Sequence, residues 1–161
     1  GHFIALLKKD GECADRAFSK KTTKKNAESG VKLFKAFEKE TLFTDFDGCF
    51  EMFGDNLYLV PHGIDTDGLK LVRGGLHLGV CKKNRFEPSQ ALLSSLKLSD
   101  FKNSVSFTAE SEEIRKYLRG ETINSDVKGY CCVAVGKAPL GWAKGSDGIL
   151  KNHFPKYLRL P

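Results

Sequence analysis

The amino-acid sequence predicts an α+β chain made of small mixed domains. Apolar residues recur at helical spacing from Val31, through Phe34 and Phe37, to Thr41 and Leu42 one turn later. Two short apolar runs then flank a Gly-Asp-Asn turn in FDGCFEMFGDNLYLVP, the signature of a β-hairpin. The helical period returns at RFEPSQALLSSLK and again at SEEIRKYLRGE, and β-like GYCCVAV follows the second. With 161 residues, 40% of them hydrophobic, the chain can bury a core as one domain of ordinary size or as two small ones.

Each element has its local justification. HFIALLKK reads as a short strand. Residues 8–25, with seven cations against three acids and no apolar period, read as a solvated linker. At their spacing, Phe34 and Phe37 form either a helix's buried stripe or a stacking face. The hairpin pairs Cys49–Phe53 with residues 57–60, and His62-Gly63 and Asp67-Gly68 bracket a loop. LKLVRGGLHLGVCKK follows as a longer strand in which Gly74, Gly75 and Gly79 mark a bulge or a close backbone approach. Its GGLHLG segment lacks the strand, G-x-G-x-x-G and helix order of a nucleotide loop.

Pro88 fits the first turn of a helix whose buried face is Ala91, Leu92 and Leu96. A domain boundary falls near residues 98–100. Beyond it, Ser111 caps a short helix, Glu112 and Glu113 favour that helix's positive end, and Gly120 terminates it. GYCCVAV and a run at 140–144 read as two strands joined by Gly136-Lys137-Ala138-Pro139, and the remaining tail reads as loop-rich.

Composition narrows the function. No window approaches the roughly 18 apolar residues of a membrane span. The opening GHFIALLKKDGE carries its cations after its apolar run, which is not a signal peptide's order; the chain begins without Met and reads as a piece of a longer protein. Five cysteines, Cys13, Cys49, Cys81, Cys131 and Cys132, contain no Cys-x-x-Cys spacing, and the adjacent pair in GYCCVAV would point to opposite faces of a strand. That geometry suits neither a disulfide framework nor a zinc knuckle; they read as reduced core cysteines of a cytoplasmic protein, with a redox or metal role as the lesser alternative.

A net charge of +6 permits an anionic partner. The cations cluster: residues 71–86 hold Arg73, Lys82, Lys83 and Arg85 with no acid, and residues 129–161 hold Lys137, Lys144, Lys151, Lys156 and Arg159 against Asp147. Trp142, His153, Phe154 and Tyr157 are interleaved with the second set. Charge for phosphates and flat faces for bases are what irregular or single-stranded RNA needs. The same residues also suit a plainer role, with Trp142 as core anchor and the lysines on a solvated face. No nucleophile with an adjacent base, and no paired carboxylates, form a catalytic set.

Three stretches extend this reading. GHFIALLKK, NRFEPSQALLSSLK and PLGWAKGSDGILKNHFPKYLR, in that order, resemble the C-terminal region of the RsmF-like RNA cytosine-5 methyltransferases of the Sun/Nop family. The last stretch is similar to the family's Pro-Leu-Gly-Trp-Gly-Lys, a variable loop, and Leu-Lys-Asn-aromatic-Pro-Lys-Gly-Leu-Arg; Ala143 and Tyr157 stand where the family has glycine. The family's Pro-Cys and Thr-Cys catalytic motifs are absent from this sequence.

The resemblance implies that residues 1–30 are the last strand of a catalytic domain plus a basic linker. It further implies an intervening mixed α/β domain at 31–95 and a PUA-like RNA-binding domain, a β pseudo-barrel with short helices, at 96–161. It implies a bacterial, cytoplasmic rRNA-processing transferase. No catalytic residue, metal or cofactor is expected in this piece, S-adenosylmethionine belonging to the parent enzyme. The implied partners are ribosomal RNA and the catalytic domain of the same polypeptide. The RNA contacts expected are Arg85, Lys137, Trp142, Lys144, Lys151, Asn152, Lys156 and Arg159, with Asn152 giving a hydrogen bond and Trp142 either stacking or acting as scaffold. The other function the resemblance allows is an interdomain scaffold that buttresses the catalytic domain.

Overall fold

The computed structural model describes residues 27–61 and 73–161. The expected HFIALLKK strand, the basic linker and the loop at 62–68 lie outside these residues. The described chain forms two modules, each built on its own sheet.

The first module begins with helix α1, Glu28–Thr41. Its buried stripe includes Phe34, Phe37 and Thr41, so the two phenylalanines are core and not a stacking face. Phe34 meets the rings of Phe46, Phe50 and Phe86, while Phe37 meets those of Phe86, Tyr130 and Trp142. Buried Glu38 fixes the exit from the helix: its carboxylate accepts from the Phe46 amide at 2.7 Å and from Lys35 Nζ at 2.7 Å.

Strands β1, Cys49–Phe53, and β2, Asn56–Val60, form the expected hairpin, turning through Gly54-Asp55 with Gly54 at φ 57°. Strands β3, Leu76–Lys82, and β4, Arg85–Pro88, complete an antiparallel sheet in the order β1-β2-β3-β4. The register skips Leu78 between His77 and Gly79, which is the anticipated bulge. Gly75 and Gly79 sit where a Cβ would strike the Leu59 and Glu87 carbonyl oxygens.

Pro88 is not in the first turn of a helix. It ends β4, an edge strand, where a residue without an N–H is tolerated. Ser89 instead caps helix α2, Gln90–Ser94, its Oγ accepting from the Leu92 amide at 3.0 Å. Ala91 is exposed, and the buried face is Leu92, Leu93 and Leu96.

The second module opens with β5, Ser104–Phe107, and helix α3, Glu112–Arg119, capped by Ser111 and closed by Gly120 at φ 89°. The strands β6, Ile123–Asn124; β7, Gly129–Val135; β8, Ala138–Ser146; and β9, Ile149–Asn152, follow. The sheet runs β5-β7-β8-β9-β6, with β5 parallel to β7 and the other pairs antiparallel. The tail expected to be loop-rich therefore contributes a paired strand and ends in a single 3-10 turn, Lys156–Leu158.

Two cores result. Ile114, Tyr117, Ile123, Cys131, Val133, Ala143, Leu150 and Phe154 close one face of the second sheet with α3. The opposite face carries Cys132, Ala134 and Trp142 into the core of the first module, so the modules share one continuous apolar interior. Cys131 and Cys132 thus fall in different cores, as strand alternation requires, and burial pushes both thiols up to about 12. An isolated bridge between Leu42 and Phe101 ties the end of α1 to the start of the second module.

Candidate nucleic-acid interface

The β7–β8 and β8–β9 registers build a row across the second sheet. Tyr130 lies directly opposite Lys144, and Lys144 directly opposite Lys151, so the three side chains stand on one face. Lys144 Nζ is 5.1 Å from the centroid of the Tyr130 ring. The Tyr130 ring also meets His153 edge-on at 5.4 Å.

Arg85 reaches the same place from the start of β4. Together with Phe37, Glu40, Phe86, Tyr130 and Lys144 it lines a groove of about 250 Å³ between the modules. Its guanidinium holds Glu87 through Nη2 at 2.8 Å and Nε at 2.9 Å, so Glu87, with Glu40 of the groove lining, tempers the positive field. Lys82 and Lys83 extend the basic surface along the β3–β4 turn.

The titrating groups register this crowding. His153 has an accessible residue surface, yet its ring packs on Tyr130; that partial desolvation, and then Lys144, hold its pKa below the ordinary histidine value. Burial first, and Glu87 second, raise the Tyr130 hydroxyl. His153 is therefore neutral at pH 7, a flat polar ring beside cations.

The expected contact residues divide. Arg85, Lys144 and Lys151 are exposed, the first two lining one groove and the lysines facing each other across strands. Lys137 is exposed at the β7–β8 turn, roughly 20 Å along the strand from Lys144. Lys156 is exposed in the final 3-10 turn.

Three others are occupied inside the protein. Trp142 is 1% exposed, its ring packs against Phe37 and Phe101, and its Nε1 donates to the Ser89 carbonyl at 2.9 Å. No base can stack on it in this arrangement, and the scaffold role is the one it fills. Asn152 donates through Nδ2 to the Tyr117 and Glu121 carbonyls at 2.8 and 3.0 Å, while its Oδ1 accepts from the Phe154 amide at 2.8 Å. Arg159 donates through Nε and Nη2 to the Phe154 carbonyl, and lies so close to Gly120 that a Cβ there would collide with its guanidinium. Asn152 thereby ties the terminal segment to α3, Arg159 braces the tail on itself, and Trp142 is tied to the other module.

Tyr130 was absent from the expected contacts. Its apolar strand context hid it; only the cross-strand register places it between Lys144 and His153. Among the described residues no group of three or more His, Cys, Asp and Glu could hold a metal ion, and no helix is long and apolar enough to cross a membrane.

This architecture agrees with comparisons to known families. A family model of the RsmF rRNA methyltransferase first C-terminal domain matches residues 36–96, and one of the methyltransferase RsmF PUA domain matches residues 104–160. No curated protein matches the chain. The two matches follow one another in chain order, the first over the end of helix α1 and the antiparallel sheet, the second over the mixed five-stranded sheet. An α+β chain with a PUA domain behind the RsmF first C-terminal domain belongs to the C-terminal region of the RsmF-like rRNA methyltransferases.

Proposed function

We propose that this chain grips folded ribosomal RNA and presents the target cytosine to the catalytic domain of an S-adenosylmethionine-dependent rRNA (cytosine-5) methyltransferase. The observation that carries the reading is the row Tyr130–Lys144–Lys151, with Arg85 delivered to it by the other module. Lysines opposite one another on a sheet repel, and an arrangement that costs stability in the free protein gains when an anion bridges them. Phosphates supply that anion, Arg85 adds a planar donor fork, and the rings of Tyr130 and His153 offer edges to an unpaired base.

Methyl transfer itself does not fit these residues. The thiols of Cys131 and Cys132 are buried in two separate cores and pushed up to about 12, so neither attacks a base at neutral pH. The chemistry is assigned to the catalytic domain, and this chain's part is to bind and orient.

A second reading, an interdomain scaffold with little RNA affinity, draws on the internal roles of Trp142, Asn152 and Arg159. One titration separates the two. Anisotropy of a labelled small-subunit rRNA fragment, followed at several salt concentrations, should show steep salt dependence and tighter binding to folded than to scrambled RNA. The Lys144→Glu, Lys151→Glu double variant should weaken binding at least tenfold and flatten the salt slope by about 2. Unchanged affinity in that variant at fixed salt would establish the scaffold reading for this face.

A further inference from the structure

A second concave site lies on the seam between the modules, apart from the row of Tyr130, Lys144 and Lys151. We propose that this cleft takes a single unpaired guanine of the bound RNA, read through His77 Nε2 and Gln90 Oε1. The inference rests on the RNA-binding reading for the identity of its ligand class. Its geometry stands independently.

The cleft has a volume of about 460 Å³, the size range of small-molecule sites, and both modules build it. Tyr58, Arg73 and His77 come from the first module, and Gln90 from the helix behind it. Pro155 and Tyr157 come from the tail of the second.

Two buried polar atoms at this cleft, His77 Nε2 and Gln90 Oε1, have no hydrogen-bond partner among the described residues. Such atoms cost free energy unless something donates to them. Both are acceptors. The Gln90 amide is oriented by its own Nε2, which donates to the Leu140 carbonyl at 2.8 Å and leaves Oε1 as the orphan. The Gly79 main chain favours a proton on the His77 ring, and with that proton on Nδ1 the unpartnered Nε2 is a lone pair. Burial, the larger influence, keeps the ring neutral, and Arg73 acts in the same direction.

Two acceptors call for a ligand with two donors. Among the bases, guanine presents neighbouring donors on one edge, N1–H and the N2 amino group. Cytosine and adenine carry their N–H donors on a single amino nitrogen and uracil has one imino N–H, so guanine is the base with donors on two adjacent atoms of one edge. The remaining lining suits a nucleotide. Arg73 is exposed and can meet a phosphate. Tyr157 is 83% exposed, a flat ring at the rim with its face available for stacking. The His77 ring is itself stacked on Tyr58 at 4.8 Å, which holds it in place. Both acceptors are covered in the free protein, so a base reaches them only as other side chains lining the cleft move aside.

Tyr157 is the exposed ring on the rim of this cleft. Its aromatic face would add a stacking surface that a glycine cannot supply.

The test titrates the full chain with GMP, IMP, CMP and UMP, following the amide resonances of Gln90 and Ala91 by NMR. Saturable shifts are expected with GMP in the millimolar range. Inosine, which keeps N1–H but lacks the N2 amino group, should bind several-fold more weakly, and CMP and UMP more weakly still. Gln90→Leu should abolish the preference for GMP over IMP. Tyr157→Gly, a change at an exposed position that leaves folding intact, should weaken GMP binding about tenfold.

Equal binding of all four nucleotides, or no saturable shift up to about 10 mM ligand, overturns the inference and leaves the two acceptors to ordered water. Loss of GMP binding with rRNA affinity intact would remove this cleft alone. Specific GMP binding in a protein whose lysine variants bind rRNA normally would remove the Lys144–Lys151 surface and keep the cleft.

Discussion

Trp142 and Lys144 stand two residues apart on one strand, on the same face of the same sheet, and meet opposite environments. Cys132 opposes Trp142 and Tyr130 opposes Lys144, so the comparison extends across two strands. At the Trp142 end, α1 and Phe101 close over the sheet and bury the ring. At the Lys144 end the cover stops, and the face opens into a groove edged by Arg85. The difference teaches that an aromatic and cationic composition does not assign roles by itself. What covers each residue does, and here the covering element comes from the other module.

Removing Trp142 should break the comparison most severely. Trp142→Ala leaves a cavity at the seam and frees the Ser89 carbonyl, and should lower stability by about 3–5 kcal/mol. Thermal melts of the variant check this, and a melting point within a degree or two of the parent would mean that the seam is not the shared core described above. The lysine double variant is the counterpart at the open end, where RNA affinity should fall and the melting point should hold, since one like-charge pair across the strands replaces another.

Asn152→Ala and Arg159→Ala sharpen the same division within the tail. Each should cost about 1–3 kcal/mol of stability through lost hydrogen bonds. RNA affinity per folded molecule should be unaffected. A stable variant that loses RNA binding would move that residue from the internal set to the contact set.

The smallest effect concerns pH. His77 and His153 both have pKa values held below the ordinary 6.5, in each case first by burial, then by Arg73 for His77 and by Lys144 for His153. An unfolded chain therefore binds protons that the native chain resists as pH falls below about 6.5. Stability should decline on acidification through that window and level off once the native rings are also protonated. Denaturant melts at pH 7.5, 6.5 and 5.5, within about that range, would show a falling midpoint. His77→Gln should reduce the slope, and an unchanged slope in that variant would assign the dependence to other groups.

Much of the fold was legible locally. Ser111, Glu112, Glu113 and Gly120 bound a helix with its caps and charges in the expected places. The Cys131–Cys132 pair announced a strand with two covered faces, and Gly-Asp announced a hairpin. Strand β5 was not legible. SVSF is short and half exposed, and its partner β7 is parallel and distant in sequence, a pairing with no local turn signal. Strand β4 hid for a related reason, because its Pro88 suggested a helix start and only the position at a sheet edge made a proline acceptable there.

The candidate site shows where local reading stops. Which residues carry charge and rings, the presence of the β7–β8 hairpin, and the family likeness of the segments around it were all readable from the chain alone. The tertiary structure decided which of those residues meet. Counting back from the turn at Gly136-Lys137 pairs Tyr130 with Ala143. The actual register skips Leu140, so that Tyr130 faces Lys144 and Trp142 faces Cys132. The carbonyl of the extra residue is taken by Gln90 of the neighbouring module, and the Gly141 beside it lets Tyr117 approach and donate to the Trp142 carbonyl at 2.7 Å. Side chains alternate with a period of two, so one inserted residue sends every later side chain of the strand to the other face. Its partners lie 25 and 50 residues away, beyond the reach of any local pattern.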